Sequence, residues 1–398
     1  MSDDTILSQV ALGYSPMIDR QRAVVATRLT VFPVRPDATI DAGALLAALT
    51  EVWPADGATV SLNVASETLL ADLLAAAPAP NVMIEVPAFM AGDSANFEAL
   101  GRLYASGNKL LIKGRPVREL PREVLPFFKY SIVDAADDRR TAEVDASAAA
   151  LRSIPFVQSG VRTLAALDAS FQRGAAAVVG WPIDDAVGSA RGDKGTRPDV
   201  QAVVELIQRV DKGEDVDRLE ATLKRDPTTA FKLLRYINSP AFGLRVEVSS
   251  FRHAIMMLGH QKLKRWLALL LATAGQDNNL KPVMYASVRR GMMMEELVRG
   301  SSDDEMRGEV FICGVFSLLD KSFGQPFAEL LKSLPVPPKV CQALAQGDGP
   351  YRPLLDLVQA VEAESLYDMR ELSDRLLLGA GEVNRAVLRA LKSAATLD

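Results

Sequence analysis

The stretch Thr59–Val86, TVSLNVASETLLADLLAAAPAPNVMIEV, decides the fold. It sets a β-branched run (TVSLNV), an Ala/Leu-rich helical run (ETLLADLLAAA) and a second β-branched run (NVMIEV) in the order of a β-α-β unit. The alternation continues on both sides. AVVATRLTVFPV (23–34) reads as a strand and ALLAALTEVW (44–53) as a helix. Downstream come a helix around ANFEALGRLYASG (95–107), strands in KLLIKG (109–114) and YSIVDA (130–135), a helix around ASAAALRS (146–153) and a strand in PFVQSG (155–160). This order predicts an α/β domain with a parallel sheet, open or closed into a barrel, and functional groups at the carboxyl ends of the strands.

Between Gly180 and Pro198 the pattern fails, and GWPIDDAVGSARGDKGTRP has the composition of a linker. The predicted division is therefore an α/β domain at 1–185, a linker at 186–198 and an all-α domain at 199–398. In the second half Leu219 and Leu223 share a helical face. Asp226-Pro227 supplies an N-cap and first-turn proline, and Phe231, Leu234 and Ile237 continue the stripe. Asn238, Ser239 and Pro240 stop that helix. Ser249 or Ser250 caps the next one, whose apolar face is Phe251, Ile255 and Leu258 and which Gly259 ends.

The chain has 398 residues, 48% hydrophobic and 24% charged, as folded domains with large cores do. The start MSDDTILSQV lacks the basic and apolar regions of a signal peptide, and no apolar run is long enough for a membrane span. A cytoplasmic location without membrane insertion is expected. A net charge of −5 argues against nucleic acid as the main partner. The two cysteines, Cys313 and Cys341, read as buried reduced thiols. With only two histidines, His253 and His260, a histidine-rich metal site is excluded.

The helical half resembles the HDOD domain, a relative of the metal-dependent HD phosphohydrolases, in YINSPAFG (236–243), VSSFRHAIMMLG (248–259), QKLKRWLAL (261–269), VFICGVFSLLDKSFG (310–324) and ALAQGDGPYRPLLDLVQAVE (343–362). The first half resembles the EAL domain, the barrel that hydrolyses cyclic di-GMP, in the order found in EAL-HDOD two-domain proteins. The resemblance implies a TIM-type (β/α) barrel, degenerate and shortened relative to a full EAL domain, so that elements are expected to be missing or distorted. It also implies a site where carboxylates and an amide converge on divalent cations.

Carried onto this chain, the signature glutamate falls at Arg28, the amide ligand at Asn63 and the next acid at Glu85. The aspartate pair becomes Lys113 and Gly114, the catalytic lysine becomes Ile132, and Asp134 is retained. The later acids become Ser159 and Arg162, and the Gln-Gly pair reads Val179-Gly180. Two positive charges, Arg28 and Lys113, thus stand where the family's metal ions sit. The His-Asp pair of HD enzymes falls at Ser317-Leu318. Both sites are therefore expected to be catalytically lost, with no metal or cofactor.

Other features take plainer readings. His253 and His260 read as solvated or core residues, and Met256, Met257 and Met292 to Met294 as core filling. Lys262, Lys264 and Arg265 beside Trp266 read as a solvated helix face. The expected function is a non-catalytic signalling protein whose partner is another signalling or regulatory protein. The alternative is an inactive receptor for cyclic di-GMP or a related nucleotide, held by the remnant pocket and coupled to domain rearrangement.

Overall fold

The computed structural model describes residues 6–114, 119–137, 154–185, 198–224, 251–272, 278–332 and 336–395. The helix expected at 146–153, most of the linker, YINSPAFG and the Asp226 to Ser250 segment lie outside the described residues. The chain divides into two compact units. One comprises Met1–Asp185 with Gln359–Leu388, the other Ala186–Val358 with Arg389–Asp398. The units are thus not consecutive along the chain, because Gln359–Leu388 returns to the first one.

The first unit is a closed eight-stranded barrel: β1 (Val10–Ile18), β2 (Val24–Pro33), β3 (Val60–Val64), β4 (Val82–Pro87), β5 (Leu110–Lys113), β6 (Phe128–Asp134), β7 (Phe156–Ser159) and β8 (Ala177–Val179). The shortening inferred from the sequence removes no strand. β2 to β8 run parallel, whereas β1 is antiparallel to both of its neighbours, β2 and β8, and closes the ring. Neither β1 nor β8 is apparent from the alternation. VALGYSPMI carries Gly and Pro inside the run, and AVV is three residues long.

Helices α1 (Ala42–Thr50), α2 (Glu67–Ala75), α3 (Phe97–Ala105) and α4 (Leu164–Gln172) alternate with the strands. Asp41, Ser66 and Thr163 cap α1, α2 and α4 by accepting from backbone amides three residues on. Leu69, Leu70, Leu73 and Leu74 bury one face of α2.

Inside the barrel the period-two alternation of the strands sorts side chains into layers. Met17, Ala26, Met83, Leu111, Ile132, Val157, Ala177 and Val179 form one apolar cluster. Two residues further along the parallel strands come Arg28, Glu85, Lys113, Asp134 and Ser159. Two residues back along antiparallel β1 comes Ser15. A polar layer therefore caps an apolar plug at the carboxyl end of the barrel.

The returning segment holds α11 (Leu366–Arg375), named in sequence with the helices of the second unit that precede it, and most of α12 (Ala380–Ala395). Asn384, 1% exposed, ties it to β1 and the turn before it. Its amide nitrogen donates to the carbonyls of Leu7 (2.6 Å) and Val10 (2.7 Å), and its oxygen accepts from the Leu12 amide (3.0 Å).

The second unit is helical: α5 (Pro198–Asp211), α6 (Val216–Lys224), α7 (Phe251–Ala272), α8 (Lys281–Leu297), α9 (Asp304–Phe316) and α10 (Arg352–Glu362), whose last turn passes into the first unit. Gly259 takes φ 67° and interrupts α7, as expected of a helix-ending glycine. α8 and α9 cross at two glycines. A Cβ on Gly314 would stand 2.6 Å from backbone atoms of Arg290 and Gly291, and one on Gly291 would stand 3.0 Å from the Phe311 carbonyl.

Some of these side chains lie where the sequence pattern predicts and others do not. Met292, Met293 and Met294 are buried, but Met256 and Met257 are 65% and 44% exposed, on the face of α7 opposite Ile255 and Leu258. Lys262 is exposed, as a solvated face requires, whereas Lys264 and Arg265 are half-buried and ion-paired to Asp211 and Glu295, and Trp266 is buried. His253 and His260 are exposed, and Cys313 is buried while Cys341 is half-buried.

Candidate functional site at the barrel mouth

The mouth is built on one buried ion pair. Arg28 on β2 donates from Nε to Glu85 Oε1 (2.7 Å) and from Nη2 to Glu85 Oε2 (2.8 Å), the two-pronged match of guanidinium and carboxylate. The Glu85 side chain is wholly buried and that of Arg28 nearly so. Ser61 Oγ adds a bond to Glu85 Oε1 at 3.3 Å. Burial pulls the Arg28 pKa down, but the charges of Glu85, Glu364 and Asp134 and the Glu85 hydrogen bond outweigh it and hold the guanidinium above its ordinary value.

Lys113 at the end of β5 donates from Nζ to Asn63 Oδ1 (2.6 Å), and Asn63 Nδ2 donates to Thr30 Oγ1 (3.0 Å). Thr30 in turn donates to Glu364 Oε2 (2.7 Å), which also accepts from Arg28 Nη1 (3.3 Å), while Ser15 Oγ donates to Glu364 Oε1 (2.9 Å). Burial lowers the Lys113 pKa, with Glu85 opposing and Arg28 adding to the shift. The result is one continuous network over β1 to β5.

The structure brings Arg28, Asn63, Glu85 and Lys113 together in this network. Asp134 and Ser159 lie on the far side of the mouth, bonded to each other at 3.3 Å. Arg162 leaves the network and pairs with Asp184 at 2.7 Å, largely in solvent. Val179 belongs to the apolar plug and, with Gly180, also borders the cavity at the mouth. Beside the network is a cavity of about 460 Å³ whose lining includes Arg28, Lys113, Asp134, Ser159, Arg162 and Glu364.

Four residues of the network, Ser15, Thr30, Ser61 and Glu364, escaped the sequence reading. Ser15 lies on the unrecognised strand β1, and Thr30 is visible only as the inward neighbour of Arg28. Glu364 is separated from Arg28 by 336 positions and carries no local signal.

Ser317 and Leu318 stand at the end of α9. Ser317 Oγ donates to the Gly314 carbonyl (2.7 Å) and accepts from Arg290 Nη1 (3.2 Å), and Leu318 is buried. Among the described residues, no group of three His, Cys, Asp or Glu side chains is placed to hold a metal ion. No helix among them is long and apolar enough to cross a membrane.

The chain thus joins a closed (β/α) barrel with a polar mouth to a helical unit, and residues 197–323 match the HDOD domain. Among curated proteins, it is similar to the cyclic di-GMP phosphodiesterase CdgJ of Vibrio cholerae, 29% identical over 166 residues, covering 42% of this chain and 38% of the relative. It is also similar to the uncharacterized protein YuxH of Bacillus subtilis, 28% identical over 177 residues, covering 43% of each. The match therefore spans less than half the length of either relative. Among solved structures, the EAL enzyme Bd1971 in its cGMP-bound form aligns with 45% of this chain and 62% of its own, at TM-score 0.34 and 12% identity. Klebsiella pneumoniae BlrP1 in its calcium and cyclic di-GMP complex aligns with 44% and 55%, at TM-score 0.31 and 18% identity.

Proposed function

We propose that this chain is a signalling protein in which an EAL-like barrel no longer cleaves cyclic di-GMP and which acts by contact with another regulatory protein. The observation that carries the reading is the two-pronged Arg28–Glu85 pair. A divalent cation needs open oxygens at about 2.0 to 2.6 Å. Here both oxygens of Glu85 are taken by a guanidinium, and the Asn63 oxygen is taken by Lys113. The residues present do not fit a metal pair. On this reading Ser317 and Leu318 likewise stand where an HD enzyme would carry its metal-binding pair.

A second reading draws on the cavity. Its lining includes Arg28, Lys113 and Arg162, the chemistry that holds phosphate groups, so the mouth is also proposed as a receptor for cyclic di-GMP without turnover. The test is titration calorimetry of the full chain with cyclic di-GMP in magnesium or manganese, followed by assay of the same samples for the linear dinucleotide. Binding without product favours the receptor, and neither heat nor product favours the protein-contact reading. Product overturns both and aligns this chain with the activity in the name of the Vibrio cholerae relative.

A further inference from the structure

Glu364 enters the mouth from the turn after α10, not from a strand, and three features mark that entry as built. Its carboxylate is held by Ser15 Oγ, Thr30 Oγ1 and Arg28 Nη1 at 2.9, 2.7 and 3.3 Å. Its backbone sits at φ 54°, the left-handed region that a glutamate rarely occupies and where an L side chain is strained. And β1 makes room for it at Gly13, where a Cβ would stand 3.0 Å from Glu364 Cγ and 3.1 Å from the Val361 carbonyl.

The flanks carry two further ties to the barrel, which set the entry of the carboxylate. Trp181 Nε1 donates to the Glu362 carbonyl at 3.0 Å, and Asn384 holds α12 to β1. Glu364 itself is part of the cavity wall, together with Lys113 and Arg162. A guanidinium and two hydroxyls converging on an anion beside two further cations are the donors that bind a phosphate group, whose non-bridging oxygens accept hydrogen bonds as the carboxylate oxygens do.

We infer that Ser15, Thr30 and Arg28 form a phosphoryl-binding site that Glu364 occupies as a resident anion, and that a phosphate-bearing ligand binds by exchange with Glu364, loosening the returning segment. The inference rests on the reading that Arg28, not a divalent cation, holds the anion in this mouth. The occupant sets the coupling: whatever displaces Glu364 also releases the strained turn that joins α10 to α11.

The test uses the full chain in EDTA with two probes, inorganic phosphate and cyclic di-GMP, which separate free phosphate from a phosphodiester as the source of the anion. Titration calorimetry of wild type and Glu364→Gln is paired with hydrogen exchange over residues 366–388. Glu364→Gln is expected to bind at least one probe tenfold or more tightly than wild type. In wild type, saturation with that probe lowers the protection of 366–388 toward the level of unliganded Glu364→Gln. Equal affinities, no binding by the variant, or unchanged protection overturns the inference. Ser15→Ala, which removes one donor from the barrel side, is the second variant: it loosens 366–388 but binds the probe less tightly than Glu364→Gln, and unchanged protection in it also overturns the inference. Product formation in a parallel metal-containing assay overturns the proposed lack of turnover and leaves the exchange result standing.

Discussion

Arg28 and Glu85 stand two strands apart and meet over β3 through parallel hydrogen bonds of 2.7 and 2.8 Å. Between them they neutralise the floor of the barrel mouth, and each is buried on the strength of the other. Removing one partner strands a charge in the protein interior, which costs about 3 to 5 kcal/mol, whereas replacing both with apolar groups is close to neutral. Arg28→Met is therefore expected to lower unfolding free energy by about that amount, and Arg28→Met with Glu85→Met to recover most of the loss. Urea unfolding of the two variants checks this, and equal destabilisation in the double variant would show that the pair is not the source.

Asn384 satisfies three backbone groups at once, the carbonyls of Leu7 and Val10 and the amide of Leu12. Each buried backbone group left without a partner costs about 1 to 3 kcal/mol. Asn384→Ala is expected to destabilise by several kcal/mol, about 3 or more, and to raise hydrogen exchange first in β1, whose strand partners among the described residues are β2 and a two-residue ladder to β8. Exchange that rises uniformly through the barrel would argue against a local tie.

Gly314 is where α8 and α9 touch backbone to backbone. A methyl group there would lie 2.6 Å from Arg290 and Gly291 backbone atoms, which no side-chain rearrangement relieves. The helices must separate, and Gly314→Ala is expected to cost about 3 kcal/mol, the upper end for overpacking. A thermal scan reads the loss. The propensity gain of alanine over glycine, about 1 kcal/mol, points the other way and would dominate if the contact were loose.

Cys313 sets a pH dependence. Burial pushes its thiol up to about 12, with the Arg352 charge opposing. A raised thiol pKa means that the neutral form is favoured in the folded state. The stabilisation is fully present below the unfolded value of about 9 and is lost as pH rises through 9 toward 12. Relative to Cys313→Ala, wild type is expected to lose about 1.4 kcal/mol per pH unit above pH 9, measured by urea unfolding at pH 8, 9 and 10. In the native state at pH 8 a thiol reagent should label Cys341 well before Cys313.

The sequence by itself determined the alternation that builds the barrel. β-branched runs and Ala/Leu runs declare themselves locally, because period-two and helical burial are properties of neighbouring residues. Through the resemblance to the EAL domain it also carried the expectation that Arg28, Asn63, Glu85 and Lys113 share one site. Two strands were illegible: β1 has Gly13 and Pro16 inside it, and β8 is too short to carry a period. Met256 and Met257 show the converse limit, for an apolar residue on a helix announces burial, yet only packing decides which face is covered.

Only the tertiary structure decided what completes the mouth. The pairing of Arg28 with Glu85 needed the curvature of the closed barrel, and the arrival of Glu364 needed a segment more than 300 positions away to return across β1. Strand pattern is written in spacing, which a chain carries along its length. The network of Ser15, Thr30, Arg28 and Glu364 is set by distances through space, which the chain acquires only when the barrel has closed and the returning segment has packed against it.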